Sequence, residues 1–152
     1  MADDAEQADA AATATPVDIT APIAPPKITT AAEWRAAVHR RWLLRLTSGV
    51  TVKARMADVP SLLVDGVISA DELADLGKIT HDPAALRART DLARRVAAQV
   101  VVEPRIVLSD GEVPDDAIRA SEVGASDALA ILSWVLGNPG TVDVFPAEDA
   151  SA

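Results

Sequence analysis

Apolar and polar residues alternate with period two on both sides of a short turn at Thr47-Ser48-Gly49. Before the turn, the apolar positions Trp42, Leu44 and Leu46 alternate with Leu43 and Arg45. After it, the apolar positions are Val50, Val52 and Ala54. Because successive side chains of a strand point to opposite faces, this pattern predicts a β-hairpin with one buried and one wet face. A hairpin alone is marginal, so helices or a third strand must lie behind it.

Four segments begin with residues that favour the first turn of a helix. In each, a Ser, Thr or Asp side chain can accept a backbone hydrogen bond, and a Glu or Pro follows within the first turn. The four pairs are Thr30 with Glu33, Asp58 with Pro60, Ser69 with Glu72, and Asp82 with Pro83. These signals predict short helices over residues 31–39, 58–66 and 69–77, and a longer helix that starts at residue 82.

The long helix leads into the segment RRVAAQVVVEPRI, residues 94–106, around which the chain is organised. The inward face of this helix is predicted to comprise Leu86, Ala93, Val96, Ala97 and Val100. Pro104 forces the end of the helix, because proline lacks a backbone donor and disfavours helical geometry at Glu103. The β-branched run from Val100 to Val102 allows the helix to end one turn earlier.

The last helix follows a loop of turn formers and acidic side chains over residues 105–125. The pattern leaves open whether Val107 and Leu108 form a third strand. Ser126 is predicted to cap the helix, Gly137 to end it, and Leu129, Leu132, Val135 and Leu136 to face inward. Trp134 flanks that stripe. We therefore expect Trp134 to be available to a partner, and Trp34 and Trp42 to pack in the core.

Together these patterns predict an α+β fold that is mostly helical, with a small β-hairpin packed on a bundle of about four to five helices. Residues 30–137 form the single folded domain in this interpretation. Residues 1–29 combine Ala, Thr and Asp with four prolines and no periodicity, which is typical of a disordered arm. Whether this arm docks on a partner or only solubilises the chain stays open. Residues 138–152 are predicted to be an acidic flexible tail.

Composition narrows the class of protein. The net charge of −9 argues against binding to nucleic acid, which requires clustered Lys and Arg, and against an anionic membrane surface. No apolar run approaches the roughly 20 residues of a membrane-spanning helix. The acidic N-terminus lacks the basic and apolar regions of a signal peptide. The chain has no cysteine, so disulfides and thiolate metal sites are excluded.

Patterns that could support catalysis or metal binding fail on spacing. His39 and His81 are far apart and belong to no ligand motif. The acidic loop DGEVPDD lacks the ligand spacing of a calcium loop. The segment from Gly124 to Ala128 is close to a G-x-S-x-G nucleophile elbow, but it ends in alanine and follows no predicted strand. We therefore expect no catalytic residue, no cofactor and no metal ion.

Four short motifs lie in order between Trp42 and Gly137. They are Ser48-Gly49, Leu62-Leu63-x-x-Gly66-x-Ile68, Val101-x-Glu103-Pro104-Arg105, and Asp127-x-x-x-Ile131-x-x-Trp134. In this order the chain resembles the tail assembly chaperones of long-tailed, siphovirus-type bacteriophages. The order and spacing of the four motifs, rather than any one of them, give the resemblance its specificity.

The resemblance implies a small non-enzymatic protein that binds the tape measure protein and keeps it soluble while the tail tube polymerises around it. The implied partners are the tape measure protein and, as a second candidate, the major tail protein. A homo-oligomer is a further alternative. The implied location is the cytoplasm of the infected bacterial host, and the protein is not expected in the mature virion.

A chaperone of a helical, apolar client needs an exposed apolar groove or stripe. We therefore expect the partner to be bound by the junction after the long helix together with the last helix. The expected binding residues are Val101, Val102, Pro104, Ile106 and Trp134. The competing class is a structural virion component, such as a head–tail connector or a capsid or tail accessory protein. A hydrolase that uses the acidic loop is a third class, but no base and nucleophile pair is visible.

Overall fold

The computed structural model describes residues 24–148, and the chain divides into two units, Met1–Ala31 and Ala32–Ala152. The predicted disordered arm lies outside the described residues as far as residue 23. In the first unit, residues 24–30 are exposed and form neither helix nor strand. The second unit is a mostly helical α+β fold, and this confirms the fold class predicted from the sequence.

Five α-helices lie within residues 24–148. They are α1 (Ala31–Val38), α2 (Val59–Val64), α3 (Ala70–Leu76), α4 (Pro83–Val100) and α5 (Ala125–Val135). Short 3-10 turns at Ala120–Glu122 and Pro139–Thr141 lie on either side of α5. All five helices start within a few residues of the positions that the sequence predicts.

Side-chain caps fix the starts of three helices. The Asp58 carboxylate accepts a hydrogen bond from the Ser61 backbone N–H at 2.7 Å, at the start of α2. Ser69 and Glu72 exchange hydrogen bonds with each other's backbone N–H groups, which completes the predicted capping box of α3. Asp82 caps α4 in the same way as Asp58 caps α2. These signals are local, so the sequence predicts them well.

The main sheet has four antiparallel strands in the order β3-β2-β1-β6. The strands are β1 (Arg41–Arg45), β2 (Thr51–Arg55), β3 (Val101–Glu103) and β6 (Asp143–Pro146). β1 and β2 form the predicted hairpin, with Leu44 opposite Val52 and Gly49 in the turn at φ 88°. The hairpin therefore gains a strand on each side.

A second, two-stranded sheet answers the question that the sequence left open about residues 107 and 108. β4 (Arg105–Val107) pairs in parallel with β5 (Ala117–Arg119), and the cis peptide bond Glu103–Pro104 separates β3 from β4. Val107 thus belongs to a strand outside the main sheet, whereas Leu108 lies beyond it. The third strand of the main sheet is β3.

The core lies between the inner face of the main sheet and the helices α4 and α5, which pack against each other. Its largest fully buried side chains are Leu44, Leu62, Ile68, Val96, Val100 and Ile131. On α4 the buried residues begin at Leu92 and lie in the second half of this 18-residue helix. Leu86, which the sequence places inward, is 44% exposed.

The last residue of α4 and the N-cap of α5 differ from those that the sequence predicts. α4 ends at Val100, and Val101 already has extended geometry with ψ 125°. The early end follows from the β-branched run, which fits a strand better than a helix. α5 begins at Ala125 with Gly124 as its N-cap and without a side-chain cap, so Ser126 does not have the capping role predicted for it.

The C-terminal segment corrects the prediction of a flexible tail from residue 138. β6 pairs with β1 so that Leu44 lies opposite Val144. Val142 is 8% exposed, and Val144 packs against the core from a partly buried position. The apolar alternation here covers only two residues on the inner face, which is too short for the sequence pattern to separate a strand from a tail.

Candidate protein-binding surface

The five residues that the sequence predicts as a partner surface do not form one. Trp134 and Val101 are each 4% exposed and Ile106 is 6% exposed, so all three are core residues. Val102 is 37% exposed, and Pro104 is half-buried. In this fold a partner could reach only the last two without disturbing the packing. The structure therefore corrects the expectation that Trp134 is the exposed tryptophan.

Trp134 is buried because α5 is covered on more than one side. Six of its 11 residues are buried, and they include consecutive positions that cannot share one narrow stripe: Ala128, Ala130, Ile131, Leu132, Trp134 and Val135. A helix that is apolar around most of its circumference belongs in the interior of a domain. The four-residue stripe predicted for α5 was too narrow, and Trp134 completes the wider buried surface.

Two of the four motifs that carry the family resemblance, Ser48-Gly49 and the one that begins at Asp127, contact each other at the N-terminus of α5. The Asp127 carboxylate accepts hydrogen bonds from the Thr47 hydroxyl at 2.9 Å and from the Ser48 hydroxyl at 2.6 Å. It also accepts one from the Ser48 backbone N–H at 3.1 Å. Asp127 thus fastens the hairpin turn, 79 residues earlier in the chain, to the last helix.

The pKa of Asp127 reflects this contact. Partial burial alone would raise the pKa of its carboxyl group, but the hydrogen bonds from Ser48 and Thr47 together outweigh burial and lower it. Hydrogen bonds also lower the pKa of the two other carboxyl groups at helix starts, that of Asp58 through Ser61 and that of Glu72 through the Ser69 backbone. Each of these shifts has a cap or clamp as its cause.

The motif Leu62-Leu63-x-x-Gly66-x-Ile68 forms the turn that ends α2. The backbone N–H groups of Val67 and Ile68 both donate to the Leu62 carbonyl, at 2.9 and 3.3 Å. Gly66 has φ 73°, a left-handed conformation that glycine adopts without strain. Leu62 and Ile68 are each 1% exposed, so the motif supplies a turn and two core side chains.

An exposed apolar cluster lies instead beside α1. A groove of about 520 Å³ is formed by the end of α1, the start of β1 and the segment from β2 to α2. We call it the α1 groove, and its apolar lining residues include Val38, Trp42, Met56 and Leu62. Val38 is 61% exposed and Met56 54% exposed, and Trp42 is half-buried.

Trp34 extends this apolar surface along α1. It precedes Val38 by four residues, so the two side chains lie on the same face of the helix. Trp34 is 67% exposed, and α1 has no buried residue. The prediction that Trp34 packs in the core is therefore wrong. The signal that could have separated a buried from an exposed helix face is the small number of large apolar residues in the eight-residue helix, since Trp34 and Val38 are its only two.

A second groove, of about 330 Å³, lies between α3 and α4. Ile79 in its lining is 94% exposed, but no exposed aromatic side chain accompanies it. The Arg89 guanidinium crosses this region and donates to the carbonyl oxygens of Asp75 and Lys78, at 3.2 and 2.8 Å. The α1 groove is the better candidate for binding a protein, because two strongly exposed apolar side chains, Val38 and Met56, line it and the exposed Trp34 lies on the same helix face as Val38.

Residues 24–148 contain no cluster of three or more side chains of the metal-binding types. No helix in the same range is both long enough and apolar enough to cross a bilayer. His39 and His81 are both exposed. The acidic loop residues from Asp110 to Asp116 are also exposed, as expected for a solvated loop.

Comparisons with known proteins gave no match to a family model, to a curated protein or to a solved structure.

Proposed function

We propose that this protein is a non-enzymatic tail assembly chaperone of long-tailed bacteriophages, which binds the tape measure protein and assists tail tube assembly. The observation that supports the proposal is the contact of Ser48 with Asp127. These two residues belong to the first and the last of the four motifs, and Ser48 donates two hydrogen bonds to the Asp127 carboxylate across 79 residues of chain. Motifs that act together in one fold are harder to explain as chance matches than isolated ones.

The motif residues all have structural roles, which limits what they imply. Gly66 forms a turn, Asp127 fastens the hairpin, and Ile131 and Trp134 fill the core. The resemblance therefore supports a shared fold first, and a fold alone does not determine function. The client must therefore be bound mainly by exposed side chains at positions that the motifs do not specify.

The α1 groove is the surface that we assign to the client. An amphipathic helix binds a groove through apolar side chains repeated at helical spacing. Trp34, Val38 and Met56 offer an apolar surface of that kind, and exposed aromatic residues contribute strongly to protein interfaces. Such a surface suits a protein that holds apolar helical segments apart before the tail tube encloses them.

The proposal also has consequences for location. The chaperone would act in the cytoplasm of the infected bacterial host and would be left out of the finished particle. The tape measure protein is the first partner, and the major tail protein is a second. The alternative class, a structural virion component, would place the protein in the particle at stoichiometric amounts.

Copurification tests the proposal directly. A very long helical open reading frame beside this gene would encode the client, and tagged protein should retain untagged fragments of that client. Val38→Asp and Trp34→Ala should each weaken retention about tenfold, the effect of losing one interface hot spot. Ile79→Asp is the control for Val38→Asp, because it introduces the same charge at an exposed apolar side chain outside the α1 groove.

The results of these experiments test the chaperone function and the assignment of the client to the α1 groove separately. Retention that is lost in Val102→Asp but unchanged in Val38→Asp and Trp34→Ala would return the client to the junction after α4. Failure to retain any fragment of the long helical protein would contradict the chaperone function itself. Detection of this polypeptide in purified virions, in a fixed ratio to the tail proteins, would favour the structural component.

A further inference from the structure

Positive charge is concentrated in one part of this acidic chain. Residues 34–57 contain six of its 14 basic residues and none of its 23 acidic residues. The six are Arg35, Arg40, Arg41, Arg45, Lys53 and Arg55. A chain with a net charge of −9 therefore has a local basic region that includes the whole β1–β2 hairpin.

The register of the main sheet brings part of this charge onto its outer face. Leu44, Val52 and Ala54 point into the core, so the residues that alternate with them point away from it. Leu43 lies opposite Lys53 on β2 and opposite Phe145 on β6. Arg41 and Arg45 are the outward neighbours of Leu43 on β1. We call the surface of Arg41, Leu43, Arg45, Lys53 and Phe145 the outer sheet face. The same register places Asp143 on this face, opposite Arg45.

The centre of the outer sheet face is apolar, although it is not part of the core. Leu43 is half-buried but does not pack against the core cluster, in contrast to Trp42 and Val144 on the other face of the sheet. Phe145, the only phenylalanine in the chain, is 45% exposed. A sheet with one solvated face normally has polar side chains there. The cross-strand pair of Leu43 and Phe145 departs from that rule.

The cations around this apolar pair are largely without acidic partners. Within residues 24–148, neither Arg41 nor Arg45 forms an ion pair with a carboxylate. The Arg45 guanidinium lies over the Phe145 ring, 5.8 Å from its centroid, although Asp143 is directly opposite in the register. Lys53 does pair with Glu103, at 3.0 Å, on the edge strand β3.

We propose that the outer sheet face binds an acidic segment of a partner protein that also carries apolar side chains. Neither guanidinium forms an ion pair within residues 24–148, although Arg41 Nη1 donates to the His39 carbonyl at 3.0 Å. The remaining N–H groups of Arg41 and the guanidinium of Arg45 can each donate to a carboxylate, and the pair of Leu43 and Phe145 offers an apolar centre between them. An interface with an apolar centre and a charged rim combines affinity with orientation.

A protein segment fits this face better than the other polyanions do. Binding to a phosphate backbone depends on many simultaneous cation contacts, and the net charge of −9 opposes it at long range. The same charge opposes an anionic lipid surface. The net charge opposes an acidic peptide as well, but a short peptide carries fewer charges, needs only a few cations and benefits from the apolar centre. This inference uses neither the α1 groove nor the bacteriophage assignment, so it stands or fails separately from the proposed function.

Amide NMR spectra of the full chain, titrated with a peptide of alternating glutamate and leucine, test the proposal, because chemical-shift changes both detect weak binding and locate it. The changes should concentrate in β1, β2 and β6. They should weaken as the ionic strength is raised towards about 0.15 M, where the Debye length is about 8 Å. In the double variant Arg41→Glu and Arg45→Glu, the affinity should fall about tenfold or more.

Matched controls separate the surface from overall charge. Arg87→Glu together with Arg105→Glu changes the net charge equally at two exposed positions outside the outer sheet face, and it should leave the affinity unchanged. Arg41→Gln with Arg45→Gln provides a milder variant if charge reversal disturbs folding, which far-UV circular dichroism would reveal. Phe145→Ser should weaken binding without changing the net charge.

Several results would overturn the proposal. Absence of shift changes, changes confined to other elements, or equal affinity in the double arginine variant would each do so. Equal binding of a peptide with lysine in place of glutamate would also contradict it. Tighter binding of a polyuridine oligonucleotide or of phosphatidylserine vesicles to the same residues would assign the face to a different polyanion. Shift changes at this face on concentrating the protein alone would assign it to a second copy of the chain.

Discussion

The helix pair α4–α5 and the α1–hairpin region place similar side chains in opposite environments. Trp134 on α5 is 4% exposed, whereas Trp34 on α1 is 67% exposed, and each has apolar neighbours at helical spacing. α5 is covered by α4 and by the segment around Val142, but α1 has no buried residue. Helical spacing of apolar residues therefore identifies a helix face without telling what covers it. The cover depends on residues far away in the chain.

The two regions differ in charge as well. Residues 34–57 contain six basic residues and no acidic residue. On α4, the side chains of Arg94 and Arg95 form hydrogen bonds with segments that pack against the helix. Arg94 donates to the Val123 carbonyl at 3.1 Å, and Arg95 donates to the Val67 carbonyl at 3.1 Å and pairs with Glu72. Arginine on α4 thus joins elements together. On the hairpin, Arg55 likewise donates to the Gln99 carbonyl of α4 at 3.1 Å, and Arg41 donates to the nearby His39 carbonyl. Arg45 contacts only the Phe145 ring among the contacts of residues 24–148 and is the hairpin arginine most available to a partner.

Replacement of each tryptophan by alanine tests the difference between the two regions most directly. Trp134→Ala should lower the free energy of unfolding by about 3–5 kcal/mol, because it leaves a large cavity in the core. Trp34→Ala should change it by less than about 0.5 kcal/mol, as expected for an exposed side chain. Urea denaturation followed by far-UV circular dichroism measures both. Similar losses for the two variants would show that α1 is packed as tightly as α5.

The sequence predicted the features that depend on neighbouring residues. The caps at Asp58, Ser69 and Asp82 and the hairpin around Gly49 all follow from local chemistry, and the structure confirms them. Short strands could not be predicted in the same way. β3 and β6 contain three and four residues, and they are strands because β2 and β1 lie beside them.

The candidate site could not be predicted from the sequence for a related reason. Exposure of Trp34 and burial of Trp134 are decided by tertiary packing, which apolar spacing does not encode. The outer sheet face requires the register of β6 against β1, and β6 was predicted to be part of a flexible tail. Once the register is known, Leu43 and Phe145 become neighbours, although they are separated by most of the folded chain.

Asp127 offers the next largest effect, because it joins the two regions that the comparison separates. Asp127→Asn removes the charge that accepts hydrogen bonds from Thr47 and Ser48 and should cost about 1–2 kcal/mol of stability at neutral pH. Asp91→Asn is the control, because the Asp91 carboxylate is exposed and its contact with Arg94 on the helix surface is long, at 3.9 Å. A loss in Asp91→Asn equal to that in Asp127→Asn would argue against the clamp.

The same contact predicts a pH dependence. The pKa of Asp127 is lower in the folded chain than in the unfolded chain, so its contribution is fully present above the unfolded value of about 4. It is lost as the pH falls through the lower, folded pKa. The stability difference between the natural chain and Asp127→Asn should therefore shrink below about pH 4. A difference that stays constant down to pH 2 would contradict the pKa shift.

Two glycines at helix ends test whether the turn after α2 requires its conformation. Gly66 has φ 73°, whereas Gly77 has φ −77°, and a Cβ added there would lie at an ordinary 3.7 Å from the Ala74 carbonyl oxygen. Gly66→Ala should cost about 1 kcal/mol, because a left-handed alanine is strained. Gly77→Ala should be neutral or stabilise by about 0.4–1 kcal/mol. Equal effects in thermal unfolding would refute the difference.

The smallest effect on stability is expected at the edge of the outer sheet face. Glu103 pairs with Lys53 at 3.0 Å, but its side chain is 68% exposed, and exposed ion pairs contribute little. Glu103→Gln should therefore change the free energy of unfolding by less than about 0.5 kcal/mol.

The same variant should nevertheless increase the affinity for the glutamate–leucine peptide, because it frees Lys53 and removes a competing carboxylate. A variant with unchanged stability and unchanged peptide affinity would show that Lys53 takes no part in the face. Weaker binding would contradict the assignment of that face to an acidic partner, because removing a negative charge can only favour such a partner.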